Sequence, residues 1–331
     1  MVLPGLATSS IGSLPHTQFE LALQQALLLD IPAAPQLPGR DPAEFMVPQA
    51  LDGLPGLHYD REGSSSVDVP EWRRGAATFD ARLDRALDGR VEEFLPSPGS
   101  WQALRPFLWE VEHRKLPFAK VQIAGPLTLR WSLRTGDGAP LSASAERLPL
   151  EGQIFRLVLA RALALTRKVR EAGATPVVFL DEPGLYAYDR GDPQHLVALQ
   201  ELRVAVLALK REGALSGVHC CGNTDWGALL GLGWDIVSLD ARLSLSSVLA
   251  SGDAFQRFHD KGGALALGIV PTDFSSNDDL GALVAHAEEL LAPEVLSRCL
   301  LTPACGLALR TVQDAERIFD ELRDAQARLT Q

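Results

Sequence analysis

The sequence predicts an α/β fold: a single (β/α)8 TIM barrel carrying an insertion after its second strand. Three observations lead there. From Ala119 onward, short β-rich runs alternate with longer helical patterns, the rhythm of βα units and a parallel sheet. With two runs near the N-terminus the count reaches eight. Polar side chains stand at the carboxyl ends of these runs, where a barrel of this kind places its chemistry. A length of 331 residues, 46% of them hydrophobic, suits one large barrel.

The first two runs are Ser9–Ser13, followed by a helix over Thr17–Leu29, and Ile31–Gln36. The others are Lys120–Ala124, Pro176–Leu180, Gly217–His219, Ile236–Leu239, Ala264–Ile269 and Leu300–Thr302. Helical spacing places helices between or after them at Leu150–Ala172, His195–Glu212, Asp225–Leu232, Ser246–Lys261, Asp278–Leu291 and Thr311–Thr330. The first of these stops before Gly173, a suitable C-cap. Residues 37–118 are rich in Pro, Gly and charge and fit the rhythm least. They are read as an insertion or loop layer at one barrel mouth, with helices near Ala81–Phe94 and Trp101–Glu112. No G-x-G-x-x-G follows a strand, which disfavours a separate dinucleotide-binding domain.

Net charge is -11 and the isoelectric point near 5.1. Without a stripe of Lys and Arg, such a chain points away from nucleic acid and anionic membranes and toward small-molecule chemistry. The N-terminus lacks a basic segment followed by a long apolar run. The apolar stretch Leu157–Leu165 is interrupted by Arg161 and too short to span a bilayer. A cytoplasmic protein is expected, in which the four cysteines serve metal binding or reactivity rather than disulfides.

His219-x-Cys221 with Cys305 is the sharpest constellation. Residues two apart on a strand share a face, so His219 and Cys221 can both point to the barrel mouth while Cys220 points toward the helices. The ends of the fifth and eighth strands share one rim, so Cys305 can join them. One imidazole and two thiolates suit zinc and leave a position open, the mark of a catalytic site. An incoming thiol could bind there and lose its proton to the metal. Asp240, at the next strand end, is a candidate fourth ligand or a hydrogen-bond acceptor for an imidazole. Cys299 reads as core.

Asp181-Glu182 closes an apolar strand. A carboxylate there suits a substrate ammonium, because an unpaired carboxylate in a core is costly. Ile11-Gly12-Ser13 offers backbone N–H groups and a hydroxyl to a substrate carboxylate.

Taken together, Ile11-Gly12-Ser13-Leu14-Pro15, Gly125-Pro126-Leu127-Thr128, Leu180-Asp181-Glu182-Pro183, His219-Cys220-Cys221-Gly222 and Pro303-Ala304-Cys305-Gly306-Leu307 resemble, in order, the catalytic barrel of cobalamin-independent methionine synthase. That barrel belongs to the wider uroporphyrinogen decarboxylase/methionine synthase-like superfamily. The resemblance implies that His219, Cys221 and Cys305 hold Zn2+, with Asp240 where the family has an acidic ligand. It implies further that Asp181 binds the amine of homocysteine and that Ile11 and Ser13 bind its carboxylate. Trp131 resembles a tryptophan near the methyl donor's ring. Gln49 is the nearest counterpart of a glutamate that helps bind the amine.

The chain departs from the two-barrel pattern in having one barrel. It also has Gly268-Ile269-Val270-Pro271-Thr272 where a proton-donating histidine is expected. A corrinoid-bound methyl group needs no such acid to leave. The expected function is therefore methyl transfer from methylcobalamin or 5-methyltetrahydrofolate to homocysteine, forming methionine. The alternatives are a corrinoid-dependent methyltransferase acting on another thiol, such as coenzyme M, and a non-catalytic zinc-binding barrel. Porphyrin decarboxylation is disfavoured, since no arginine-rich motif stands near the N-terminus.

Overall fold

The computed structural model describes residues 3–273 and 279–330. In chain order its strands are β1 (Leu57–Tyr59), β2 (Ser65–Val67), β3 (Phe118–Ala124), β4 (Arg134–Thr135), β5 (Thr175–Asp181), β6 (Leu215–Cys220), β7 (Ile236–Asp240), β8 (Ala264–Val270) and β9 (Leu300–Pro303). Six of them form one parallel sheet in the order β3-β5-β6-β7-β8-β9. Runs such as Pro-Val-Val-Phe-Leu and Ala-Leu-Ala-Leu-Gly-Ile-Val lack a polar face because both faces of this sheet are covered; every residue of β3, β7 and β8 is buried.

The two faces feed separate apolar clusters, and this reveals the curl. Val177, Phe179, Ile236, Ala266 and Leu300 pack with Ala7 and Ile31 in a small inner cluster. Val178, Leu180, Val237 and Leu267 join the large outer cluster beneath the helices. Alternation along each strand sends neighbours to opposite sides. The result is a strongly curled, TIM-barrel-like α/β fold.

Between the sheet's edges lie the two N-terminal segments expected as strands. Each makes bridges rather than a regular ladder: Thr8 pairs with Leu301, Ser13 with Gln36 and Ala33 with Lys120, all in parallel. Ser9 N donates to Leu301 O at 2.9 Å, and Ala34 N to Lys120 O at 2.9 Å. Pro32 and Pro35 have no N–H to continue a ladder, and Gly12 sits at φ +135°. These interruptions explain why Ser9–Ser13 and Ile31–Gln36 do not form full strands.

The helices after each strand fall close to expectation, with two corrections. The expected helix Ser246–Lys261 is two helices, Ala241–Leu249 and Asp253–Asp260, parted at Gly252. The expected Ala81–Phe94 helix is the end of a longer one, Val69–Leu87, capped by the Asp68 side chain, and a separate turn at Val91–Phe94. Asp278, the expected start of the helix observed over Leu280–Leu290, lies outside the described residues. The last helix, Val312–Leu329, opens with a capping box between Thr311 and Asp314. Among the described residues no helix is long and apolar enough to cross a membrane.

Residues 37–117 fold as helices, including Leu104–Arg114, and an antiparallel β1–β2 hairpin whose β2 pairs in parallel with β4. Buried Arg161, on the long helix Arg147–Glu171, fastens this region. Its guanidinium donates to Phe94 O at 2.9 Å, Ala50 O at 3.0 Å, Asp52 O at 2.6 Å and Gln49 O at 2.5 Å.

Candidate metal centre

At the end of β6 the alternation works as the sequence suggests. His219 turns inward and its Nδ1 lies 2.9 Å from Ser238 Oγ on β7, its register neighbour. Its Nε2 is buried and has no hydrogen-bond partner among the described residues. Cys220 joins the outer apolar cluster, and its Sγ lies 3.3 Å from Gly222 O. Cys221 returns to the inner side. The donor atoms of His219, Cys221 and Cys305 all lie within 4.8 Å of one another. One imidazole nitrogen left without a proton partner, facing two thiols, is a donor set suited to zinc. Contact with the Cys221 thiol and burial push Cys305 up to about 12, and the same contact lowers Cys221.

Ser238→Ala removes the group that orients His219, so zinc affinity should fall by about 10- to 100-fold, as read by competition with a chromophoric chelator. Cys220→Ser should leave zinc stoichiometry unchanged in elemental analysis, because that side chain faces away; loss of zinc in this variant would contradict the alternation.

These three residues line a cavity of about 320 Å³, together with Ile11, Ser13 and Asp181. Gln36, Glu44, Phe45 and Met46 complete the lining, with Thr272 and Arg310 at other points. Ser13 sits against the Cys305–Gly306 backbone. Leu307 N donates to Ser13 O at 2.9 Å, and a Cβ on Gly306 would stand 2.2 Å from Ser13 Oγ. A side chain at position 306 would have to displace the Ser13 hydroxyl.

The acidic pair after β5 divides its roles. Asp181 faces the cavity, and its Oδ1 is buried without a hydrogen-bond partner. Burial raises its pKa, while the Lys120 and His219 charges oppose the rise. Glu182 points to the other side and accepts from Leu127 N at 3.1 Å, Thr128 N at 2.7 Å and Thr128 Oγ1 at 2.6 Å. It caps the helix Pro126–Ser132, and burial pushes its pKa up to about 7. Glu182 therefore serves the fold.

Three of the expected residues are placed elsewhere. Asp240 stands outside the cluster of metal donor atoms; its Oδ1 accepts from Leu243 N at 3.1 Å and caps the helix Ala241–Leu249. Gln49 does not line the cavity. It lies behind Gln36, whose Nε2 donates to Gln49 Oε1 at 2.5 Å, and its own Nε2 donates to Ser100 O at 2.8 Å. Trp131 packs edge-on against His195 at 4.9 Å and borders a different cavity, with Arg130 and Arg147.

Gln36 and Glu44 line the cavity as well, although sequence reasoning marked Gln36 only as the end of the second run and did not mark Glu44 at all. Glu44 sits in a Pro/Gly-rich stretch, held by Leu37 N at 2.8 Å, and only tertiary folding brings it to the mouth.

No protein-family model matches the sequence, and no curated protein matches it. Solved structures do match in fold over nearly the whole chain. One is a B12-independent methionine synthase from Shewanella sp. W3-18-1, in complex with selenomethionine, with a TM-score of 0.63, 14% identity, and coverage of 98% of both chains. Another is a methyltransferase from Methanosarcina mazei, with a TM-score of 0.62, 15% identity, and coverage of 99% of this chain and 95% of that one. At such identities the likeness is one of fold.

Proposed function

We propose that this chain is a zinc-dependent thiol S-methyltransferase whose acceptor is homocysteine and whose product is methionine. The observation that carries the reading is the convergence of His219, Cys221 and Cys305 on one cavity that also holds the unpartnered Asp181 carboxylate. The fold shared with a methionine synthase and a methyltransferase supports it. So does the order of motifs along the chain.

His219, Cys221 and Cys305 are the residues that would hold zinc. The chemistry that zinc supplies when bound is Lewis acidity, which lowers the pKa of a thiol at the open position. The chain's own residues then handle the rest of the acceptor. Asp181 receives its ammonium; the buried Oδ1 has no other donor to satisfy it. Ser13 and the Ile11 backbone face its carboxylate from the neighbouring wall. Ser238 keeps the imidazole in one orientation. The acceptor sulfur gains the methyl group in line with the departing bond, and holding both partners in one cavity supplies much of the acceleration.

Phe45, Met46 and Leu309 give the cavity an apolar outer collar, and Leu309 is 81% exposed. This collar suits the flat ring of either donor, methylcobalamin or 5-methyltetrahydrofolate. The whole chain is read as one catalytic barrel working in the cytoplasm, with residues 37–118 a layer inserted after the second strand and contributing Phe45 and Met46 to that collar.

The test is turnover by the zinc-loaded protein with homocysteine and each donor in turn, with methionine detected by mass spectrometry. Zinc binding without turnover of either donor would favour a non-catalytic barrel. Equal rates with amine-free thiols would favour another acceptor.

A further inference from the structure

Beneath the cavity lies a charged group with no task in that reading. Lys120, at the middle of β3, is 2% exposed and reaches into the curl. Its Nζ donates to Ile11 O at 2.8 Å and to Gln122 Oε1 at 3.2 Å. It also lies 4.5 Å from the centroid of the Phe179 ring. An ammonium has three N–H donors; two oxygens and an aromatic face engage this one. Burial brings its pKa down to about 8, with the Asp181 charge opposing.

Gln122, held by Lys120, turns its Nε2 to Ala34 O at 2.8 Å. One pair of side chains on β3 therefore grips both N-terminal segments, one through Ile11 and the other through Ala34. Those are the segments whose prolines and glycine leave them short of ladder hydrogen bonds. The fit around Gly12 is tight: a Cβ there would stand 1.9 Å from Gln122 Nε2. The backbone of residues 11–13 is thus packed against Gln122 at Gly12 and tied to the ammonium through Ile11 O.

We infer that Lys120 is a positioning residue: from below, its ammonium anchors the Ile11–Gly12–Ser13 turn so that Ser13 is presented to the cavity beside Cys305. The anchoring of the turn stands on its own, whereas its service to an acceptor rests on the function proposed above. Lys120 acts through the turn without touching substrate.

The experiment compares wild type with Lys120→Met, a side chain of similar length without donors, in the zinc-loaded protein. Hydrogen exchange in residues 9–14 should accelerate by roughly tenfold or more, while β6 and β9 keep their protection. Zinc stoichiometry should not change. The Kd for homocysteine should rise by about tenfold, the loss expected for a wall that has lost a charged hydrogen bond, with kcat changing far less than KM.

Unchanged protection over residues 9–14 in the folded variant would overturn the inference whatever the activity. So would acceleration spread evenly through the sheet, since Lys120 would then serve the fold as a whole. If wild type binds no homocysteine, the proposed function fails and the exchange data alone decide on Lys120. Should Lys120→Met not fold, wild type labelled with 15N-lysine provides the reading: an ammonium held by Ile11 and Gln122 gives a slowly exchanging Nζ–H signal. Rapid exchange at every lysine would sink the idea.

Discussion

Replacing Cys305 with serine is expected to abolish zinc retention and to lower methyl transfer by more than roughly a hundredfold. His219 presents one nitrogen and Cys221 one sulfur, and two ligands do not hold zinc against dilution or mild chelation. A serine hydroxyl is a far weaker donor, because it does not ionise near neutral pH as a metal-bound thiol does. The fold should survive, since Cys305 lies half-buried after β9 and serine is slightly smaller. Elemental analysis, circular dichroism and the turnover assay measure the three parts separately. A folded Cys305→Ser protein with full zinc and full activity would remove the metal centre from the mechanism. Cys221→Ser should behave alike.

Asp181→Asn comes next in size. Its expected signature is a KM for homocysteine raised by about 10- to 100-fold, which matches the 1.5–3 kcal/mol of a hydrogen bond to a charged group. Zinc content should hold, because Asp181 is not among the three converging donors. Thermal stability should not fall. In the unliganded protein Asp181 carries a buried oxygen with no partner, and an uncharged amide lessens the burden of burying it. Amine-free thiols supply the control: they should bind both proteins alike. If the substitution weakens them as much as homocysteine, Asp181 does not read the amine.

How much of this was legible before folding depended on locality. The β6 end could be read because His219, Cys220 and Cys221 are adjacent, and period-two alternation alone assigns their faces. The same rule could have separated Asp181 from Glu182, yet it leaves open what Glu182 meets on the far side; that partner, the first turn of Pro126–Ser132, is 54 residues away. Strand character failed at Ile31–Gln36, where prolines remove donors while leaving an extended path. Gly252 ended a helix that apolar spacing alone would have continued. Lys120 looked like an ordinary polar residue opening a strand. Its burial is a property of the closed curl, in which a side chain from the third run meets a carbonyl from the first, 109 residues earlier. Glu44 was hidden for a related reason, since it belongs to a stretch with no periodicity and reaches the cavity only through tertiary contacts, whereas Gln36 closes the second expected run.

The guanidinium clamp of Arg161 bears on any attempt to trim this protein to a minimal scaffold. Its four acceptors all belong to residues 49–52 and 94, so deleting that stretch strands a cation inside the molecule, at a cost of about 3–5 kcal/mol. Excision without repair would thus lower yield and solubility even if every ligand side chain remained. A shortened version needs an aliphatic replacement at position 161 from the outset.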